Sequence, residues 1–495
     1  MPRMHPPTTD TGRSEPRRVS SIVAILTLAG TTIAFVQSMV FPIVPHLPGY
    51  LNASSADTAW AVTATLLCGA VTTPVTGRLG DMYGKRRMLL CGMAVMVAGT
   101  VISALSHSLA PLLVGRTLQG LGNGVIPLGV SIMREVLPAE KLPTYTALMY
   151  GSFGVGGSLG LPVAALIAAN FDWHVLFWTA AALSTIVALL VALLVPESKV
   201  RTGGRFDLAG AVGMTAGLIC LLLAVSKGED WGWGSGTTVA LFAGAATILP
   251  LWGRLQLRSP QPMVDLRANA RPQVLLTHLT GLALGFALFA TNLVLPQLLQ
   301  TPEETGYGLG KSLVVTGLLM APQGMTMMAV SPLSARLTKA KGAKVTLMTG
   351  SVIMGVGYLL ATVMMSEVWQ IVVTSCIVAI GVGFALGTLP ALLMGAVPMS
   401  RTAATTSLNT LMRSIGTSVC SAVAGVILAH LTVDSGGMTV PSENGLRAVL
   451  ALGVGASAIA LVLASFIPRQ RAAEHSAEPP ALAGTAAGRH AADSE

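Results

Sequence analysis

Long runs of apolar residues, separated by short polar segments, extend along the chain from about residue 20 to residue 467. Most runs reach the roughly 20 residues that an α-helix needs to cross about 30 Å of hydrocarbon. The pattern therefore predicts fourteen membrane-spanning helices, at residues 20–45, 58–76, 88–105, 109–133, 143–169, 174–195, 208–226, 237–253, 273–299, 312–334, 345–365, 368–395, 402–431 and 447–467. Polar tails are expected at 1–19 and 468–495, the second of them disordered.

The composition supports this membrane assignment. Hydrophobic residues make up 52% of the 495 residues, charged residues make up only 10%, and the mean hydropathy is +0.70. A water-soluble chain of this length could not cover its surface with so few polar groups. We therefore expect an all-α polytopic membrane protein.

The basic residues lie mainly on one side of the predicted helices. Of the 30 lysines and arginines, only Lys227, Lys311 and Arg447 fall in the loops on the other side, and two more lie within helices. Because short cytoplasmic loops accumulate Lys and Arg, this asymmetry predicts that both termini are cytoplasmic. It also accounts for the formal charge of +9 without a nucleic-acid partner, and basic loops suit contact with an anionic lipid bilayer.

A charged segment at residues 77–87, with the sequence GRLGDMYGKRR, separates the second and third apolar runs. Its glycines, Gly77 and Gly84, allow tight turning and close packing of the backbone. Asp81 lies among several bases, including Lys85, where salt pairing can join one helix end to its neighbours. The segment therefore indicates a short cytoplasmic hairpin with a potential charge contact.

A second, degenerate copy of this segment follows the tenth run at residues 335–344, with the sequence ARLTKAKGAK and a lysine in place of the aspartate. The pair resembles the signature loops of the major facilitator superfamily of secondary transporters. This resemblance implies two six-helix bundles, at 20–195 and 273–467, that face each other across a central cavity. Two extra helices, the seventh and eighth, would occupy a linker at 196–272.

The resemblance further implies that the first copy forms a latch. This latch would keep the cytoplasmic face closed and so stabilise the outward-open state. The residues expected to form this gate are Gly77, Asp81, Gly84, Lys85, Arg86 and Glu135. Asp81 is also expected near Thr402, at the start of the thirteenth helix, where the helix dipole favours a carboxylate. A solvated cluster of charges at a loop end is the alternative.

Other segments resemble one branch of this superfamily, the fourteen-helix drug:proton antiporters. Arg116 begins RTLQG, which is similar to an R-x-x-q-G motif, and residues 262–267 read PMVDLR. The fifth helix resembles an imperfect antiporter motif, carried by Gly156, Gly160 and Pro162. Close helix packing through small residues is the alternative for these glycines. The resemblance implies export of drugs or antibiotics by proton antiport, without a cofactor.

The coupling chemistry is less evident, because all 21 acidic residues map to loops, tails or helix ends. Proton antiport is most easily performed by an embedded carboxylate whose pKa is raised by burial. The remaining coupling candidates are Arg116, Arg413, His278 and Asp57. A lone histidine on an apolar helix is more often a hydrogen-bonded structural residue than a proton carrier.

Polar residues within the spans suggest the class of substrate. An intramembrane arginine seeks a backbone carbonyl, water or an anionic ligand, so the cavity is expected to suit neutral or anionic amphipathic molecules better than dications. The amides expected to line the cavity are Gln37, Gln119, Asn123, Asn292, Gln297, Gln323 and Asn409.

No catalytic motif or metal-spaced cluster occurs in the sequence, so neither an enzyme nor a metal site is expected. The favoured function is proton-driven export of a small amphipathic compound across the plasma membrane. Two alternatives remain open: a transporter of one specific metabolite or self-made secondary product, and a nontransporting sensor with a transporter fold.

Overall fold

The computed structural model describes residues 14–198, 200–435 and 438–468, so most of the two expected tails lies outside the described residues. The first half contains α1 (Ser14–Ser38), α2 (Trp60–Tyr83), α3 (Lys85–Ala104), α4 (109–136), α5 (Leu142–Asn170) and α6 (His174–Leu194). Two further helices follow, α7 (Leu208–Trp231) and α8 (Gly236–Arg258). The second half contains α9 (Pro272–Gln300), α10 (Leu313–Lys341), α11 (Ala343–Val363), α12 (Val368–Met394), α13 (Thr402–His430) and α14 (Glu443–Phe466).

All fourteen predicted spans are thus helical, which confirms the expected all-α polytopic fold. Twelve helices in the described part of the chain are long and apolar enough to cross a membrane. The two predicted spans outside this set are α2 and α4. Helix α4 consists of Leu109–Leu121 and Val125–Val136, joined by a single 3-10 turn at Gly122–Gly124.

Short elements lie in the connections. Three short helices occur at Leu47–Leu51, Ser55–Thr58 and Leu266–Asn269. A two-stranded antiparallel hairpin, β1 (Thr432–Ser435) with β2 (Met438–Pro441), joins α13 to α14. The apolar pattern did not predict this hairpin, because its strands are too short to stand out from a polar loop.

Several predicted helix ends were wrong, including those of α1, α2 and α10. Helix α1 ends at Ser38 rather than near residue 45, since Pro42 lacks an N–H group and disfavours helical backbone before it. The segment at 77–87 is not a loop: α2 continues to Tyr83 and α3 begins at Lys85. Only Gly84 is non-helical, and its φ of 120° reverses the chain in a conformation that favours glycine.

The second copy of the segment has the same geometry. Gly342, with φ of 86°, is the only residue between α10 and α11. The internal repeat inferred from the sequence is therefore also a repeat of backbone conformation.

The helices pack as two groups, α1–α6 and α9–α14, which we call the N bundle and the C bundle. Two helix pairs form the main contacts between them, α2 with α13 and α5 with α10. Helix α7 packs against both α2 and α13, where Met214 and Leu218 share an apolar cluster with Val71 and Leu411. Helix α8 packs mainly on α7 and buries few of its residues.

Within the N bundle, α3 and α4 approach each other closely through glycines. A Cβ atom at Gly99 would lie 2.5 Å from the Gly115 carbonyl oxygen and 2.7 Å from the Leu118 Cβ atom. Small residues at such crossings let helix backbones make contact in the membrane.

We predict that Gly99→Leu forces α3 away from α4 and destabilises the N bundle by about 1–3 kcal/mol, the usual cost of overpacking. The measurement is the midpoint of thermal unfolding of the detergent-purified protein. Gly455→Leu is the matched control, because Gly455 is exposed in the middle of α14 with open space around it. Equal midpoints for both variants would contradict this account of the α3–α4 contact.

Candidate functional site

The basic face of the molecule is the end at which α2, α4 and α12 finish and α3, α5 and α13 begin. Asp81, in the last turn of α2, is fully buried there. Its carboxylate accepts hydrogen bonds from the backbone N–H groups of Ala403 (3.3 Å) and Ala404 (2.9 Å). Asp81 of the N bundle thus caps the N-terminus of α13 in the C bundle, where the helix dipole favours negative charge.

A pair of basic and acidic groups, the buried Lys85 and the partly buried Glu135, supports Asp81 from within the N bundle. The Lys85 ammonium lies 3.7 Å from the Asp81 carboxylate and also forms an ion pair with Glu135. Ser198 donates a further hydrogen bond to Glu135, at 2.8 Å. Burying Lys85 without these partners would be costly, so the two carboxylates and the ammonium stabilise one another.

Arg134 makes the complementary contact at the same face. Its guanidinium donates hydrogen bonds to the carbonyl oxygens of Met394 (2.7 Å) and Val397 (3.0 Å), and to Thr402. A cation is favourable at the end of α12, where unpaired carbonyls carry partial negative charge. Sequence reasoning missed Arg134, because most of its partners are backbone carbonyl oxygens of a distant segment. We call Asp81, Lys85, Arg134 and Glu135, with the helix ends that they cap, the basic-face latch.

The glycines of the predicted gate make room for the latch. A Cβ atom at Gly77 would lie 2.7 Å from the Ala403 carbonyl oxygen and would overlap Ser407 of α13. Gly84 forms the corner after α2, and Arg86 donates to the Ala192 carbonyl oxygen near the end of α6. Gly77 therefore permits close approach of the bundles, whereas Arg86 acts within the N bundle.

Arg413 of α13 lies farther from the basic face, about 17 Å along the helix from its first residue. Its guanidinium carbon is 5.6 Å from the centroid of the Tyr150 ring of α5, a cation–π distance across the boundary between the bundles. Arg413 is half-buried, and it has no ion-pair partner among the described residues. The positive charge of Arg413 is therefore available to an anionic group at this boundary.

Gln37 and Asn123 are brought together. The Gln37 side-chain amide of α1 donates to the side-chain oxygen of Asn123, a residue of the 3-10 turn of α4. Gly69 of α2 leaves space for Asn123, since a Cβ atom there would overlap its side chain. These residues form a polar junction of three N-bundle helices.

Arg116 is almost completely buried and its hydrogen bonds remain within the N bundle. It donates to the Ala61 carbonyl oxygen (2.9 Å) and to the Gln119 side chain (2.5 Å), and Gln119 donates to Thr100 at 3.1 Å. These contacts connect α2, α3 and α4. The arrangement supports a structural role for Arg116 and Gln119.

His278 and Asn409 are also buried against each other, between α9 and α13. The His278 ring hydrogen-bonds with the Asn269 side chain at 2.9 Å, and Asn409 donates to the Thr277 carbonyl oxygen at 3.1 Å. The structure therefore supports the structural alternative for His278 and places Asn409 in a helix contact.

Two carboxylates near the opposite face have local partners only. Asp57 is exposed and accepts a hydrogen bond from the Ser54 hydroxyl at 2.7 Å. Asp172, in the connection after α5, accepts from the His174 backbone N–H at 2.9 Å, and this bond lowers the pKa of its carboxyl group. Neither carboxylate reaches the bundle boundary.

The remaining amides differ in their surroundings. Asn292 is exposed and donates to the Leu288 carbonyl oxygen of its own helix at 3.0 Å, whereas Gln323 is half-buried. The Gln297 side-chain oxygen is buried and has no hydrogen-bond partner among the described residues. The structure thus does not gather the seven predicted amides into one cluster.

The glycines of α5 pack against two different helices. Gly156 and Gly160 contact α1, where added Cβ atoms would lie 2.9 Å from the Ala34 Cβ atom and 3.2 Å from the Phe35 carbonyl oxygen. Pro162 contacts Gly317 of α10 in the C bundle. The predicted antiporter motif therefore provides close helix packing, partly at the boundary between bundles.

Comparison with known proteins gives the family. A model described as Major Facilitator Superfamily matches residues 26–420 and, in a second match, residues 278–490. The chain belongs to the major facilitator superfamily. Proteins of this superfamily are transporters, so the expectation that the chain is not an enzyme is confirmed.

Superfamily relatives match over most of the chain. The uncharacterized transporter Rv1877 of Mycobacterium tuberculosis is 27% identical over 86% of this chain, which spans 63% of the length of that relative. The multidrug transporter protein MdtP of Bacillus subtilis is 24% identical over 78% of this chain and 70% of its own. Among solved structures, the human organic anion transporter MFSD10 has a TM-score of 0.62 at 14% identity, covering 92% of this chain and all of its own, and so shares the fold.

We predict that Asp81→Asn weakens closure of the basic face. An amide keeps the shape of the side chain but removes the charge that interacts with the α13 dipole, at a cost of about 1–2 kcal/mol, or roughly a five- to thirtyfold change in the ratio of closed to open molecules. The measurement is the distance distribution between spin labels at Glu140 and Lys339, exposed positions of the two bundles at the basic face. We expect a larger population at long distances.

Asp57→Asn is the matched control, since it removes an exposed carboxylate with only a local partner. Identical distance distributions for the Asp81 variant and the unsubstituted protein would rule out the latch as a determinant of closure.

Proposed function

We propose that the protein is a secondary active exporter of small amphipathic compounds, including antibiotics, that works by alternating access and is driven by proton entry. The observation that carries this proposal is the Asp81 carboxylate of the N bundle, which caps α13 of the C bundle at the basic face. A contact of this kind exists only while the two bundles are closed on that face, so it can distinguish two conformations.

The proposed orientation places the basic face in the cytoplasm of the cell and the protein in its plasma membrane. It is supported by the excess of Lys and Arg in the connections at that face, which are short enough for the positive-inside rule to apply. Both termini would then be cytoplasmic. The latch would hold the outward-facing state, in which substrate leaves the cell.

Asp81 is the proposed proton site. It is the only carboxylate of the described residues that falls among the buried polar groups. Addition of a proton would neutralise the charge, weaken both hydrogen bonds from α13 and leave Lys85 to pair with Glu135. The basic face could then open to the cytoplasm, where Asp81 would lose its proton to water and substrate would enter.

The proposed substrates are neutral or anionic. Support comes from Arg413, a half-buried cation at the bundle boundary without an ion-pair partner in the described part of the chain. The name of the relative MdtP, a multidrug transporter, supports drugs as one class of cargo.

We predict that efflux-deficient cells expressing the protein accumulate less of an acidic or neutral antibiotic, and that collapse of the proton gradient with an uncoupler abolishes the difference. Accumulation of radiolabelled compounds is measured at matched membrane levels of protein, with Asp81→Asn as the coupling variant. An uncoupler-insensitive difference would refute proton coupling. No difference for any compound would refute multidrug export and favour one specific metabolite or a sensor.

We predict that Arg413→Gln lowers export of acidic antibiotics at least about tenfold, the effect expected when one favourable charge contact of roughly 1.4 kcal/mol is lost, while export of neutral compounds changes little. The ratio of acidic to neutral export measures this selectivity. Arg447→Gln is the control, because Arg447 is an exposed arginine that pairs with Glu443 at the start of α14. An unchanged ratio in the Arg413 variant would exclude this arginine from substrate recognition.

A further inference from the structure

A cavity of about 540 Å³ opens at the basic face, beside the latch. Its walls come from three parts of the chain: the end of α2, the linker segments on both sides of the α7–α8 pair, and the connection from α12 to α13. It therefore lies where the N bundle, the linker and the C bundle meet, and it is separate from the Arg413–Tyr150 contact.

The charges of this cavity are unbalanced. Four arginines line it, Arg78, Arg201, Arg271 and Arg401, against one carboxylate, Asp265. Asp265 forms an ion pair with Arg401. Within the described part of the chain, the other three arginines have no carboxylate at salt-bridge distance.

Arg78 is the least exposed of the four arginines. It is half-buried, and its charge is favoured by Asp81, Asp265 and Asp207 and opposed by Arg401. Of these carboxylates only Asp265 lines the cavity, and it is paired with Arg401. Positive charge therefore remains in excess on the cavity wall, where an anion would be favourable. The linker holds the walls in place, because the Thr202 backbone N–H donates to the Asp81 carbonyl oxygen at 2.8 Å.

We propose that this cavity binds a phosphate group, carried either by the headgroup of an anionic phospholipid or by a soluble phosphate ester. Guanidinium groups bind phosphate oxygens through paired N–H donors, which arginine provides in a fixed planar geometry. Basic pockets between membrane helices at the cytoplasmic side suit anionic headgroups. Pro74, Met263 and Val397 provide apolar lining beside the arginines.

Such a phosphate would bridge the two bundles. Arg78 belongs to α2, Arg201 to the linker and Arg401 to the connection before α13. The three groups face one cavity only while the basic face is closed by the latch. Bound phosphate therefore stabilises this conformation and makes its population depend on the surrounding lipid.

The test uses the full-length protein purified in a neutral detergent, with the midpoint of thermal unfolding measured during titration with four probes. These are dioleoylphosphatidylglycerol, dioleoylphosphatidylcholine, glycerol 3-phosphate and inorganic phosphate. The pocket variant is Arg201→Gln with Arg271→Gln, two exposed arginines of the cavity wall whose replacement should leave the fold intact. The control variant is Arg254→Gln with Arg336→Gln, which removes the same charge from exposed positions outside the cavity.

We expect phosphatidylglycerol, but not phosphatidylcholine, to raise the midpoint, and the pocket variant to need at least about tenfold more of it than the control variant. Stabilisation by the soluble phosphates with the same dependence on the pocket would support the site and identify a soluble ligand. Stabilisation by no phosphate probe, or by equal concentrations in both variants, would overturn the proposal. The readout does not depend on transport, so it stands apart from the test of export.

Discussion

The closed basic face depends on placing charges of the correct sign at helix ends. Helix α12 ends and α13 begins at this face, so their connection presents unpaired carbonyl groups beside unpaired N–H groups. The N bundle supplies one residue for each: Arg134 for the carbonyl end and Asp81 for the N–H end. Because these groups are satisfied only when the bundles are in contact, the close packing at Gly77 depends on the same interaction.

The two contacts between the bundles are related by the internal repeat but depend on different kinds of interaction. Between α2 and α13 the contact ends in buried charges. Between α5 and α10 it consists of small and flexible residues, with Gly151 against Ser331 and Gly154 against Met327. Ser331 also donates to the Ala147 carbonyl oxygen at 3.0 Å. Lys339, at the position that corresponds to Asp81, is exposed and takes no part in an ion pair among the described residues. One contact therefore responds to charge, whereas the other is set by packing.

Local composition sufficed to predict the helices, since a long apolar run must be helical wherever it crosses lipid. The position of Asp81 near Thr402 was also predictable, because a family motif and the helix dipole indicated the same place. The partners of Arg134 could not be predicted, since every residue has a backbone carbonyl group and the sequence does not mark the ones that accept a hydrogen bond.

The amides show a second limit of sequence reasoning. Asn409 was expected in the cavity, but in the structure it hydrogen-bonds with the Thr277 backbone beside His278. Two polar groups from distant segments can form a hydrogen bond with each other, and the sequence of either segment alone does not reveal this pairing. The same applies to Tyr150, whose ring beside Arg413 could not be inferred from an apolar run.

The single-residue corners at Gly84 and Gly342 have a mechanical consequence. A connection of one residue has no slack, so α2 cannot tilt or slide along its axis without carrying α3 with it, and α10 is tied to α11 in the same way. A displacement of one helix of each pair is therefore transmitted directly to the other helix. By contrast, α6 and α7 are joined by a longer connection and are not coupled in this way. Insertion of one residue at either corner would allow the two helices of that pair to move separately, although all residues of the basic-face latch would still be present.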